Sequence, residues 1–262
     1  MPTDPFIEHT AALRGLGGRR VWSLMISLFG DLAQDKGAVI DGPVLSAIMA
    51  GLRVKPEAAR VALHRLRNDG WIRSEKSGRI SQHSLSAKGR AECAQANPLI
   101  YAAPDTGDGD WQLVLLPENG ASPEEMARQG FTEVMPRVFV APLSAQPPAD
   151  ALQVQGQEVP DWFRKQSAPL DLHEGYTDLL HTLETLSDAL PEAEELTPIE
   201  VAVLRCLIVH NWRRLVLKHP ALPAALVDPD GPSHRCQIAV HDLLTRFPRP
   251  RLREIAQFRD AA

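Results

Sequence analysis

Arg60-Val-Ala-Leu-His-Arg-Leu-Arg-Asn-Asp-Gly-Trp71 decides how the N-terminal part of this 262-residue chain is read. Ala59, Ala62, Leu63 and Leu66 fall at i, i+3, i+4 and i+7 and make one apolar stripe of a helix. Glu57, Arg60, Val61, His64 and Asn68 take the opposite side, with Arg65 and Arg67 on its flanks. A helix that buries small apolar residues and turns arginines outward can lie in the DNA major groove, where a guanidinium donates two parallel hydrogen bonds to guanine. Most basic helical faces are merely solvated, so the neighbouring segments decide between the two.

Upstream, Val21, Leu24, Met25, Leu28, Phe29 and Leu32 keep helical spacing over about three turns. Asp41 is placed as an N-cap with Pro43 in the first turn, and Leu45, Ile48, Met49 and Leu52 repeat the apolar stripe. Gly51 ends that helix, and Lys55-Pro56-Glu57 starts the next after a short turn. Helix, helix, short turn, helix is the helix-turn-helix order, in which the last helix reads the base pairs. Downstream, Gly70 stops the helix. Trp71-Ile-Arg73 is expected as a strand, Glu75-Lys-Ser-Gly78 as a turn and Arg79 to Leu85 as a returning strand. That hairpin is a wing carrying Arg73, Lys76 and Arg79 toward phosphates, although a basic edge hairpin is also a common solubility device. The candidate DNA-binding residues are therefore Lys55, Arg60, His64, Arg65, Arg67, Arg73, Lys76 and Arg79.

Charge divides the chain in the same place. Residues 1–96 hold 14 Lys and Arg against 9 Asp and Glu, a net of +5, whereas residues 97–262 hold 14 against 24, a net of −10. Phosphate neutralisation depends on local positive charge, so an acidic chain can still bind DNA. Three scattered cysteines, Cys93, Cys206 and Cys236, are too few for a disulfide framework and fit a reducing cytoplasm. The first residues lack the basic-then-apolar pattern of a signal peptide, and no run is long enough to cross a membrane.

Further on, Ala87 to Ala96 is expected as a closing helix broken by Asn97-Pro98, and Pro104 to Asp110 as a linker of turn formers. Trp111 to Leu116 is a strand candidate, and Ser122-Pro123 begins a capped short helix. Phe131 to Met135 and Arg137 to Ala141 are two more strands, so the segment is expected to be a small ferredoxin-like α+β unit. From about residue 170 the chain is helical. Tyr176, Leu179, Leu180, Leu183, Leu186 and Leu190 form one stripe, Thr197-Pro-Ile-Glu200 is a capping box, and a last helix starts near Ser233. The expected class is α+β: a winged helix-turn-helix over residues 1–97, a ferredoxin-like middle domain over 98–170, and a helical effector and dimerisation domain over 171–262.

The chain resembles the PaaX family of transcriptional repressors. The resemblance rests on Ser27-Leu-Phe-Gly-Asp31, Arg60 to Leu66, Asp69-Gly-Trp71, Gly78-Arg79, Leu85 and Gly89-Arg90 near the N-terminus. In the middle it rests on Ile100-Tyr101, Asp110-Trp111, Gly130-Phe131 and Val138 to Pro142, and later on His210-Asn-Trp-Arg213 and Pro220 to Leu226. Gln82 and His83 depart from the aromatic residues that the family's wing often carries. The resemblance implies three domains in this order, repression of a phenylacetate-like aromatic catabolic operon, and release from the operator by an aryl- or acyl-CoA thioester. Such a ligand needs cations beside an apolar slot, for which Arg213 and Arg214 next to Trp212 are candidates; arginines at a helix end also simply complement its dipole. A single reader helix covers few base pairs, so a homodimer on a palindromic double-stranded site is expected; the Tyr176–Leu190 stripe and the final helix are each either a dimer surface or internal core.

Other functions leave weaker traces. Cys206 and His210 at i, i+4, with His234 and Cys236, have no zinc-finger spacing, and Cys206 sits among leucines as a buried thiol does. No nucleophile elbow, phosphate loop or dinucleotide turn occurs, so neither an enzyme nor a cofactor is expected. The alternative of another class is a metal-dependent nuclease of ferredoxin-like fold. It would need an acidic residue after the first strand of the middle domain, where Pro117-Glu118 stands, with Asp105, Asp108 and Asp110 nearby.

Overall fold

The structure, a computed structural model, describes residues 4–16, 18, 20–104, 110–156, 158–167, 170–218, 222–228 and 230–261. The contact pattern divides the chain into two compact units rather than three consecutive domains. The first comprises Met1–Ala102, Asp178–Leu217 and Ala239–Ala262, the second Ala103–Thr177 and Lys218–Ile238. Most of the Pro104–Asp110 linker, with Asp105 and Asp108, and parts of the connectors around residues 220 and 229 lie outside the described residues.

The first unit opens with two short helices that the sequence reading did not anticipate, α1 (Asp4–His9) and α2 (Ala11–Leu16). The next three helices follow the expected stripes. They are α3 (Val21–Leu32), α4 (Gly42–Gly51) and α5 (Pro56–Asn68), with Gly70 at φ 73 ending α5 in the left-handed region open to glycine. Between α3 and α4 lies a two-residue strand, β1 (Ile40–Asp41), which pairs antiparallel with the wing. Asp41 is thus a strand residue as well as the residue before α4. Its carboxylate makes no helix cap and instead accepts from Gln82 Nε2 at 3.1 Å.

The wing comprises β2 (Ile72–Ser77) and β3 (Ile80–Leu85), and the three-stranded sheet runs β1-β3-β2. Its turn is Gly78-Arg79, since Ser77 pairs with Ile80. Glu75 and Lys76, expected in the turn, lie in the ladder. Ser86 caps the following helix, α6 (Ala87–Ile100), by accepting from Gly89 N at 3.0 Å. A Cβ on Gly89 would sit 2.3 Å from the Trp71 carbonyl oxygen, so glycine is what lets α6 lie against the hairpin. Contrary to expectation, α6 passes through Pro98 and ends at Ile100. Trp212 Nε1 donates to the Ile100 carbonyl at 3.0 Å, and the Tyr101 hydroxyl donates to Asp31 at 3.0 Å, which hold this last turn in place.

The second unit has a four-stranded antiparallel sheet of β4 (Trp111–Leu115), β5 (Thr132–Met135), β6 (Val138–Pro142) and β7 (Leu152–Gly156), in the order β5-β6-β4-β7. That is the ferredoxin-like order with one crossover helix, α7 (Pro123–Arg128), started by a reciprocal Ser122–Glu125 capping box. The second crossover is a loop. Gln112, fully buried in β4, organises it by donating to the carbonyls of Pro142 at 3.0 Å and Ala145 at 2.6 Å while accepting from Gln153 at 2.8 Å. Val114, Met126, Phe131 and Phe139 fill one side of the sheet. Trp111, Val140 and Phe163 fill the other, the last from α8 (Asp161–Ser167). Neither β7 nor α8 was anticipated.

The remaining helices are α9 (Leu170–Ala189), α10 (Pro198–Val216), α11 (Pro232–Arg246) and α12 (Leu252–Ala261). The expected Thr197–Glu200 capping box starts α10, with Thr197 N donating to Glu200 Oε2 at 2.9 Å. Every member of the Tyr176–Leu190 stripe is buried within the single chain, so it is core and not a dimer surface. Helix α10 is buried along its length and packs on α3, which is why no boundary separates the first helices from this C-terminal one. Its Arg205 reaches Asp31 with Nε–Oδ2 and Nη2–Oδ1 distances of 2.9 Å each, and these side chains are only 5% and 1% exposed. Removing one partner leaves the other charge buried. Asp31→Ala should therefore lower unfolding free energy by about 3–5 kcal/mol in a urea titration. An unchanged midpoint would show that the pair does not hold the unit together.

Candidate nucleic-acid interface

Helix α5 lies with Ala62 and Leu66 buried and Ala59 and Leu63 half-buried, as its stripe requires. Its other side is open. Arg60, Val61, His64, Arg67 and Asn68 are exposed, Val61 to 69%. An exposed β-branched residue gains nothing from water, and at the centre of a reader face it offers the apolar contact that a thymine methyl accepts. The sequence reading placed Val61 on this face but assigned it no role; its position among four polar residues was the available signal.

The basic candidates are not equivalent. Arg60 makes only a long, exposed contact with Glu57 at 3.8 Å, and Arg67 is likewise exposed. Asn68 donates toward His64 Nδ1 at 3.3 Å, which orients the imidazole across the face. Arg65 is held from two sides. Its guanidinium carbon lies 4.4 Å over the Trp22 ring, and its Nε is 3.5 Å from Asp69. These contacts fasten α5 to α3 and leave Arg65 less available to a phosphate. Lys55 precedes the first turn of α5 and is exposed.

In the wing, strand alternation separates the three cations. Arg79 is in the tip turn and Lys76 pairs across the ladder with Ser81 just beside it, whereas Arg73 sits at the base opposite Ser84. Lys76 falls on the same face as Ile72, and Arg73 on the other. Lys76 and Arg79 thus share the tip, and Arg73 does not join them. His83 lies inside the sheet, accepting from or donating to Ser74 at 2.8 Å. Burial first, then the Arg67 charge, hold its pKa below the usual value against the opposing pull of Asp41.

The three residues expected to face an effector have internal partners. Beside the Trp212 bond to Ile100, Arg213 Nη1 donates to the Ser23 carbonyl and to Ser27 Oγ, each at 3.3 Å. Arg214 Nη1 donates to the Leu16 carbonyl at 3.0 Å. In the same turn Asn211 donates to the Leu13 carbonyl at 2.9 Å, and His210 Nδ1 faces Ser27 Oγ at 3.3 Å. These five consecutive residues rivet α2, α3 and the end of α6 onto α10. Among the described residues no group of three or more His, Cys, Asp and Glu could hold a metal ion, and Glu118 is exposed in the turn after β4. Cys93, Cys206 and Cys236 are buried and form no disulfide, and no described helix is long and apolar enough to cross a membrane.

Three packed helices, a third one open to solvent and basic, and a two-stranded wing define a winged-helix DNA-binding regulator. Residues 20–89 match the family described as PaaX-like protein, and residues 170–252 match the PaaX-like protein C-terminal domain. The transcriptional repressor PaaX of Escherichia coli (strain K12) is 28% identical over 257 residues, covering 88% of this chain and 80% of that protein. The uncharacterized protein Rv0674 from Mycobacterium tuberculosis has a similar fold, with a TM-score of 0.52 and 21% identity over 94% of this chain and 98% of that one. The chain belongs to the PaaX-like family, and it is a regulator rather than an enzyme.

His210 gives this region a pH dependence. Burial, then the charges of Arg213 and Arg214, push its pKa down to about 4, with the Gly18 backbone opposing. A folded-state pKa below the unfolded value of about 6.5 means that the unfolded chain takes up the proton more readily. The stability that neutral His210 contributes is therefore complete above pH 6.5 and is lost as pH falls through 4, by about 3 kcal/mol. Thermal melts of the wild type and His210→Gln between pH 7 and 4 should diverge in slope over that window. Parallel curves would show that the histidine is not buried neutral.

Proposed function

We propose that the chain is a repressor of an aromatic-compound catabolic operon, binding its palindromic operator as a homodimer and released by an aryl- or acyl-CoA thioester. The observation that carries the DNA half is the open face of α5, with Arg60, Val61, His64 and Arg67 exposed while Ala62 and Leu66 anchor the helix. The relative whose name is transcriptional repressor PaaX supports repression, and the family resemblance supports the thioester. In this reading Arg60 and Val61 meet base edges, His64 and Arg67 meet bases or the flanking backbone, and Lys55, Lys76 and Arg79 meet phosphates. Arg65 and Arg73 contribute less, the first because Trp22 and Asp69 engage it and the second because it lies at the base of the wing.

The test uses substitutions that spare the core. Arg60→Ala should cost about 1–3 kcal/mol of operator binding and relax specificity at one base position. Arg79→Ala should weaken all sequences alike and lower the salt slope by about one unit. Leu66→Ala is the contrasting control, because deleting a fully buried leucine costs about 2–5 kcal/mol of fold stability. Arg60→Ala binding the operator as wild type does, at two salt concentrations, would remove α5 as the reader.

The dimer has its own measurement. Two-fold symmetry sets a second reader helix about 34 Å away, one DNA turn. Light scattering at micromolar concentration should give twice the chain mass of 28.8 kDa. A monomer there would end the palindrome reading and leave the DNA contacts standing.

A further inference from the structure

Within the first unit, a cleft of about 360 Å³ opens between α2, the start of α3, the α4–α5 turn and the middle of α10. Leu13, Leu24, Val54, Ala58 and Leu207 give it an apolar floor. Arg14, Arg20, Arg53 and Lys55 also line it, and among the described residues none of these four cations takes part in an ion pair. Arg14 and Arg53 lie near enough for the Arg53 charge, after burial, to lower the Arg14 pKa. Arg14 does find neutral partners in the Thr10 hydroxyl and the Ile7 carbonyl, but these leave its charge uncompensated. Like charges gathered at a concave apolar surface without a carboxylate are what an anionic small molecule requires.

Two further features border the same space. His210 lines the cleft and is 3% exposed, its imidazole set against Ser27 Oγ and the Gly18 backbone. Arg53 has φ 58, a left-handed conformation rare for a residue with a side chain, and it lies in the four-residue turn leading into α5. A DNA backbone would satisfy the cations but has no apolar body to cover the half-buried Leu24, Val54 and Ala58, so a small organic anion fits the lining better.

We infer that this cleft binds an organic anion with an apolar body and that its occupant acts on the reader helix through the Arg53-Val54-Lys55 turn. The inference rests on the effector reading above insofar as the occupant is the acyl end of a CoA thioester, with phosphates on the cationic rim. Coupling then needs no distant relay. Lys55 serves a DNA phosphate in one state and the ligand in the other, and Ala58 carries the contact into the first turn of α5. Ligand and operator therefore weaken each other's binding by the same factor.

The test is calorimetry on the full chain with phenylacetyl-CoA, CoA and phenylacetate as separate probes, for the wild type, Arg53→Gly and Arg14→Met. Glycine suits the positive φ at position 53, and methionine keeps the length of Arg14, so both variants should stay folded, as their melting curves will report. The thioester should bind the wild type and bind each variant at least about tenfold more weakly, the loss of one charge-assisted hydrogen bond. Operator binding without ligand should stay within about twofold, as for substitutions away from the interface, while release by the thioester is lost. Thioester binding that is equal in all three proteins overturns the cleft and leaves the effector reading standing. CoA binding as tightly as its thioester also overturns it, since the apolar floor would then contribute nothing. Phenylacetate binding alone, lost in the variants, upholds the cleft and overturns the thioester. Absence of binding by every probe overturns both. Weakened operator binding with a shallower salt slope in the variants, and no ligand effect, would make the cleft a DNA-backbone surface.

Discussion

Asp31 is the point through which the first unit is tied together. Its two oxygens accept a paired contact from Arg205 on α10 and a hydroxyl from Tyr101 at the end of α6, and Arg249 approaches at 3.4 Å. Arg205 in turn donates to the carbonyls of Leu244 at 2.9 Å and Phe247 at 2.7 Å, at the end of α11. One carboxylate thus fixes α3 against elements from four other parts of the chain. A buried ion pair adds little net stability over apolar residues of the same volume, because both groups lose their water. What it does add is a penalty for every arrangement in which the partners miss, which fixes how α3 sits on α10. Since α5 rests on α3 through Trp22 and Arg65, the reader helix inherits that register.

How much of this was legible follows from the range of the forces. Stripes, caps and turns act within a few residues, so α3, α4, α5, α10, the Ser122 cap and the Thr197–Glu200 capping box were visible as patterns. Elements that depend on distant partners were not. Strand β1 is two residues long and exists only because β3 runs beside it, and Asp41 carries the same local signal whether it caps α4 or accepts from Gln82. Pro98 reads as a breaker, yet it lies in the last helical turn, which is fastened from outside by Trp212. The grouping of the C-terminal helices with the N-terminal ones was hidden for a related reason. Helix α10 is apolar on most sides, which tells that it is buried but not against what.

The candidate site shows the same division. The apolar stripe of α5 fixed which face looks outward, with Arg60 and His64 on it and Arg65 and Arg67 on its flanks. Arg65 is equally basic and only one position from that face, but it stacks on Trp22, and no local pattern encodes that contact. Trp212, Arg213 and Arg214 looked like a ligand site because aromatic and cationic groups adjoin in sequence. The structure gives each a partner on α2, α3 or α6, so conspicuous sequence blocks can mark assembly rather than recognition.

Arginine makes the general argument, because one residue type serves four tasks here and only the surroundings sort them. Arg205 is buried against a carboxylate and sets the packing. Arg246 closes the end of α9 by donating to the carbonyls of Ser187 and Leu190 at 3.0 Å each. Arg60 and Arg67 are exposed, the first with a long contact to Glu57 and the second paired with no carboxylate among the described residues, so their charge stays open to solvent. Arg14, half-buried, and Arg53, exposed, line one cleft, and neither pairs with a carboxylate among the described residues. A guanidinium cannot shed its proton, so the half-buried Arg14 keeps its charge with only the Thr10 hydroxyl and the Ile7 carbonyl beside it. The cleft is bounded by the short α4–α5 connection, so the charge of an anion bound there would lie next to the first turn of α5.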